Sequence, residues 1–282
     1  MNSISKDFSI LLIVVLAVSS LTVIFATIPF GLAQSGTNIS GIISSDATWT
    51  QANSPYYLTG SIQINNGVTL TVEAGTVVNL VSYFIQVDGT LNARGSSTNK
   101  IYFSNGQITF TQTSTNWNEQ TGSGCLIENA IINETQISIY NSPKINNNII
   151  DYTQTTYTAY EIGVLVGSPL ISNNNITQSQ IPQQIDAIHC GGSAIITNNT
   201  ISSFWGVGIE LDGDFNGAGN SGKVTVSDNN ITAIHGSDIS LDNGCEGLIV
   251  IENNLITEGG IHIGEELSGN VPWQATVQNK ER

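Results

Sequence analysis

The sequence predicts an all-β fold: a single-stranded, right-handed parallel β-helix solenoid of about nine coils, preceded by an N-terminal apolar signal or anchor helix. Three observations carry this reading. A short phrase recurs at a near-constant period, short alternating strands separate its copies, and no 3.6-residue stripe longer than a turn or two follows the leader. The phrase is an aliphatic residue, a spacer, Asn or Asp, Asn, a spacer and Ile. It reads Ile171-Ser-Asn-Asn-Asn-Ile176, Ile196-Thr-Asn-Asn-Thr-Ile201, Val226-Ser-Asp-Asn-Asn-Ile231 and Ile251-Glu-Asn-Asn-Leu-Ile256, with Ile145-Asn-Asn-Asn-Ile-Ile150 before them. Successive copies start 26, 25, 30 and 25 residues apart. A period in this range marks a stacked repeat, because strands this short bury no face alone but form one continuous core when each turn pairs with the last.

From the N-terminus, an uncharged run extends from Phe8 to Gln34, with an apolar centre from Ile10 to Ile28 and a small-residue ending at Ala33. Residues 1–33 read as a signal peptide or an N-terminal membrane anchor, since 19 apolar residues are long for the first and just sufficient for the second. Either way the rest of the chain is expected outside the cytoplasm. Residues 34–56 read as a linker and cap, 57–277 as the β-helix and 278–282 as a tail, with Trp273 helping to close the far end. The cysteines Cys125, Cys190 and Cys245 are odd in number and imply no disulfide framework.

Composition narrows the function. The net charge of −15 with only 7 Lys and Arg argues against a nucleic-acid partner, and 40% apolar residues argue against a disordered acidic tail. The 31 asparagines need a structural explanation. We expect the first Asn of each pair (Asn173, Asn198 and Asn253, with Asp228 once) to point inward into a stacked ladder, and the second to make a left-handed corner. On that basis the sequons at Asn175 and Asn230 would reach solvent and the one at Asn198 would not; Asn38 and Asn133 carry the others.

The phrases from 145 to 256 resemble the right-handed parallel β-helix, or pectin-lyase-like, superfamily, in particular exported repeat-containing surface proteins and NosD-like proteins. The stretch Val68-Thr-Leu-Thr-Val-Glu-Ala-Gly-Thr-Val-Val78, Ile85-Gln-Val-Asp-Gly-Thr-Leu91 and Ile101-Tyr-Phe103 resembles the opening coils of such proteins, with turns at Ala74-Gly75 and Asp88-Gly89. The resemblance implies the fold. It leaves activity open, because this fold serves lyases, hydrolases, adhesins and inert spacers.

Function is expected where the array is irregular. The five-residue excess in the 196–226 coil contains Asp212, Asp214 and Asn216 before Gly217, an oxygen-rich half of a calcium loop, with Asn220 at its ninth position and Lys223 where a bidentate acid would stand. Aligning Ile209-Glu-Leu-Asp212 on Ile239-Ser-Leu-Asp242 brings Asp242 to the same loop as a further metal ligand. The alternative is a solvated acidic turn. The same alignment files Leu165, His189, Glu210, Ser240 and His262 on one outward strip, where His189 and Glu210 form an acid-base pair, a metal site or a surface ion pair. His189, His235 and His262 lack the close spacing of a transition-metal motif. Tyr152, Tyr157 and Tyr160 in one polar loop, and Trp117 in another, are candidate platforms for sugar rings or covers for the solenoid flank.

Lyases of this fold rely on a cationic base, and this chain has only Arg94 and Arg282. Hydrolases of the fold stack carboxylates on consecutive coils; here that set would be Glu210, Asp212, Asp214 and Asp242 with His189. The expectation is an exported, non-catalytic β-helix at the cell surface that binds or scaffolds extracellular polysaccharide or the cell envelope, with calcium in the acidic loop. A polysaccharide-acting hydrolase and a purely structural spacer are the alternatives.

Overall fold

The computed structural model describes residues 36–152, 160–178, 185–213, 223–233, 236–242, 248–263 and 276–280. The apolar leader, Tyr157, Asp214, Asn216, Asn220, His235, Cys245 and Trp273 lie outside these. Among the described residues, 25 short strands join in one parallel network, a solenoid of about eight turns with three sheets around a single core.

Isoleucine explains the three sheets. In the first, the leading aliphatic residues of the phrase stack in register, Ile145 on Ile171, Ile196, Val226 and Ile251. In the second, Ile150, Ile176, Ile201 and Ile231 stack. In the third, Ile137, Ile162, Ile188, Ile209 and Ile239 do so. All are buried. β-Branched side chains fit a pleated, half-buried surface, and each one buried here contributes roughly 1.5–3 kcal/mol. Cys125 and Cys190 lie in the same core, as a small apolar residue would.

The first and second sheets meet at the Asn pair, and its two members have the opposite roles to those expected. The first member is the left-handed corner, with φ of 55° at Asn147, 57° at Asn173, 58° at Asn198, 57° at Asp228 and 58° at Asn253. The second member points inward. Asn148, Asn174, Asn199, Asn229 and Asn254 are all buried. The Nδ2 of Asn148, Asn174, Asn199 and Asn229 each donates to the Oδ1 of the next at 3.0 Å. Each Nδ2 also donates to a carbonyl on the coil before, as Asn199 does to Ile171 at 3.0 Å. The receiving Oδ1 takes a backbone N–H as well, as Asn199 does from Asn174 at 3.0 Å. The reason for the reversal is local: in four of the five copies the strand ends at the residue just before the pair, at Asn146, Ser172, Thr197 and Ser227, so the turn falls on the first Asn and the second is swung into the core. Asn198 is consequently exposed, as Asn175 and Asn230 are, contrary to the expectation that it is hidden.

Residues expected to form a cap are already part of the solenoid. Thr37–Ile43 and Ala47–Trp49 pair in parallel with Tyr56–Ile64 and Thr69–Val72. Trp49 and Tyr56, both buried, stack with centroids 5.0 Å apart and fill the core at this end. The turn at Gly89 requires glycine, because a Cβ there would lie 2.2 Å from the Asn65 carbonyl oxygen. Between strands Ile101–Phe110 and Leu126–Glu128 the chain makes a long excursion, residues 111–125, without adding a turn. That excursion is why a uniform period predicts nine coils where about eight are present.

The reversed roles give a direct test. Asn199→Ala removes the acceptor of the Asn174 N–H, one of the two acceptors of the Asn174 side-chain amide and the side-chain donor to the Ile171 carbonyl, and is expected to cost about 3 kcal/mol, read as a fall in the urea midpoint. Asn198→Gly keeps the left-handed corner and should change stability by less than about 1 kcal/mol. Comparable losses at the two positions would refute the assignment.

Candidate functional site

The outward positions of the third sheet form a file that runs along the solenoid. Strand Tyr160–Val164 pairs with Asp186–Cys190, that with Ile209–Leu211, then Ile239–Leu241, then Ile261–Ile263, placing Gly163, His189, Glu210, Ser240 and His262 one above the other. The expected strip is present from His189 onward. Its first member is Gly163 and not Leu165, because the strand begins at Tyr160 and ends before Leu165, which is buried.

Gly163 has a specific consequence. A Cβ there would lie 2.2 Å from Cε2 of Tyr160, so the ring of Tyr160 lies across the bare backbone. It reaches the next coil, where its centroid is 6.0 Å from that of His189 at an interplanar angle of 49°. Burial raises the Tyr160 hydroxyl above its ordinary value, only partly offset by Ser138.

His189 is the centre of the site, its side chain only 8% exposed. Nδ1 lies 2.8 Å from Glu210 Oε2 and 3.2 Å from Asp186 Oδ2, and Nε2 lies 3.6 Å from Asp212 Oδ2. Burial favours the neutral ring, but hydrogen bonds to Asp186 and Glu210 and the charge of both carboxylates outweigh it and raise His189 to about 9. Asp186 is held below its usual value despite burial, through His189, Glu210 and the N–H of Val207, which donates to Oδ1 at 2.9 Å. Asp242 follows Leu241, the partner of Leu211, so it stands one coil beyond Asp212 as expected. Burial and the neighbouring Glu210 raise it, while Ser240 and His262 oppose the rise.

The other sequence candidates are scattered. Tyr152 is only 5% exposed, so its ring covers the flank of the solenoid and is not a platform. Trp117 sits on the 111–125 excursion with the charged groups of Arg94 and Lys144 at 5.8 and 5.2 Å from its ring centroid, a cation-π arrangement that occupies the ring. Of the proposed calcium ligands, Asp212 and Asp242 are in the described residues and Asp214, Asn216 and Asn220 are outside them. Compared with known protein families, curated proteins and solved structures, the chain matches none.

Two residues gained a place that the sequence reading did not give them, although it shows Asp186 as an acid three residues from His189. Asp186 joins the site because it lies three residues before His189 at the entry to the same strand, a spacing with no meaning until the strand is known. Glu161 is the second. It is 1% exposed, and neither of its carboxyl oxygens has a hydrogen-bond partner. Burial first, then the charges of Asp151 and Glu134, push it well above the ordinary carboxylate range.

The sign of that last shift sets a pH dependence. A carboxyl raised in the folded state costs nothing below its unfolded value near 4.3 and progressively destabilises the fold as pH climbs toward the folded value. Glu161→Gln is therefore expected to match the parent near pH 4 and to be more stable by about 1–3 kcal/mol at pH 8, measured by thermal or urea unfolding at both pH values. A gap that shrinks as pH rises would contradict the burial argument.

Proposed function

We propose that the protein is an exported, non-catalytic β-solenoid of the cell surface that holds neutral extracellular polysaccharide along its third sheet. The observation that carries this is the file itself. An aromatic ring lies flat on Gly163, and beyond it His189, Glu210, Ser240 and His262 continue coil after coil with Asp186, Asp212 and Asp242 beside them. A ring that stacks on a sugar face, followed along one axis by the partly exposed carboxylates of Glu210, Asp212 and Asp242 and the exposed His262, suits a linear glycan. The resemblance of the repeat to exported pectin-lyase-like proteins and the apolar run from Ile10 to Ile28 support export or anchorage at the envelope. The acidity of the chain favours neutral over anionic chains. In this reading the acidic loop from Asp212 to Asn220, with Asp242, is of the oxygen-ligand type that suits calcium.

A polysaccharide hydrolase is the second reading, and one observation favours it: Asp242 is raised while Asp186 is lowered on either side of Glu210, the divergence that separates an acid from a base. Retention on immobilised neutral glycans tests the first reading. Tyr160→Ala should weaken it about tenfold, the loss expected for one stacking contact. No retention by the parent protein, or equal retention by the variant, would end it. Release of reducing ends that disappears in Glu210→Gln would instead establish the hydrolase.

A further inference from the structure

We propose that Asp186, His189 and Glu210 bind a divalent first-row transition ion, with zinc the best match to the donor set. The three offer one imidazole nitrogen and two carboxylate oxygens, and the donor atoms all lie within 4.8 Å of one another. The Nδ1 separations of 2.8 and 3.2 Å from the two oxygens are hydrogen-bond distances, so the ion would replace the Nδ1 proton and open the set toward the about 3.3 Å by which ligands about 2.0–2.1 Å from zinc stand apart. Small shifts of two partly exposed carboxylates would admit the ion, and their exposure leaves a route from solvent and room for water as a remaining ligand.

The opposite edge of the ring supplies an independent argument. Metal-bound imidazoles commonly donate their second N–H to a carboxylate, which fixes the tautomer and the ring plane. Here Nε2 lies 3.6 Å from Asp212 Oδ2, an ion-pair separation that would have to shorten to become such a hydrogen bond. The ring is thus oriented with Nδ1 toward the two-carboxylate cradle and Nε2 toward an outer acid. A divalent ion would take over the charge that His189 now sets against Asp186 and Glu210, since among the described residues the ion pairs of Arg and Lys, Arg94 with Glu128 and Lys144 with Glu119, belong to other parts of the molecule. An imidazole in the set also distinguishes this site from a calcium site, which would use oxygen ligands throughout.

The ladder holds this cradle in place. His189 and Glu210 are consecutive on the file only because the third sheet is in register, and Asp186 enters through the same strand as His189. Two variables then decide occupancy: the imidazole, which must be deprotonated at Nδ1 to ligate, and the carboxylates, which the bound ion would relieve of mutual repulsion.

The test uses the full chain, stripped with chelator and dialysed. Titration with Co2+ should give one equivalent of bound ion with visible ligand-field absorption, and Zn2+ should displace it and raise the melting temperature by several degrees. Both signals should vanish in His189→Ala and weaken at least tenfold in Asp186→Asn and Glu210→Gln, while Glu128→Gln, whose carboxylate pairs with Arg94 in another part of the molecule, gives the metal signals of the parent. Melting curves in chelator show whether each variant folds, and the two carboxylate variants carry the test should His189→Ala fail to do so. Absence of stoichiometric binding, binding that survives all three cradle variants, or a response to Ca2+ in place of Zn2+ would overturn the assignment. Glycan retention measured in chelator is independent of the ion, so failure of the metal site and failure of polysaccharide binding are separable outcomes.

Discussion

The buried asparagine ladder is the constraint on which the rest depends. A β-solenoid made only of stacked isoleucines has a strong core and weak register, because apolar contacts are non-directional. The file of Asn148, Asn174, Asn199, Asn229 and Asn254 supplies direction. Each of the first four amides couples to the next coil through its side chain, and they bond the preceding coil through a carbonyl. A buried amide satisfied on both sides is costly to displace, so the spacing between corners can vary, as it does across the 196–226 coil, without any loss of alignment. A one-residue slip would turn every inward Ile outward and orphan the ladder at once.

Register of this kind has an electrostatic corollary on the third sheet. Parallel strands in register place the same outward position of successive coils about 4.8 Å apart. A run of like charges there would be self-repelling, and the observed file avoids one: Gly163, His189, Glu210, Ser240 and His262 interpose an imidazole on one side of the glutamate and a hydroxyl on the other. Repulsion is concentrated instead between Glu210 and Asp242, where it adds to burial in raising Asp242. The site therefore stores its unbalanced negative charge in one short segment of the solenoid.

Much of this was legible in the sequence. The aliphatic residue that opens each phrase marks the first sheet, and the alignment of Ile209-Glu-Leu-Asp212 on Ile239-Ser-Leu-Asp242 places two coils of the third correctly. The misreadings have physical origins. Asn-Asn does not reveal which member turns the corner, because either can adopt positive φ and either can join a ladder; only the end of the preceding strand decides. Leu165 was assigned to the file in place of Gly163 because the strand starts at Tyr160, beyond a segment whose length the repeat does not fix. Asp186 shows only its three-residue spacing from His189, and Glu161 carries no pattern. One matters because of a neighbouring coil, and the other because burial removes its partners.

The ladder also has an arrow. In every bond between two of these amides the donor lies on the N-terminal coil and the accepting oxygen on the C-terminal one, so the side-chain bonds of the file all run in one direction. Losing one rung strands groups on the coil before it, while the coil after it keeps a backbone donor on its own oxygen. Damage in such a polymer is felt upstream. The two ends of the solenoid are therefore inequivalent as starting points for unravelling, however alike their repeats look.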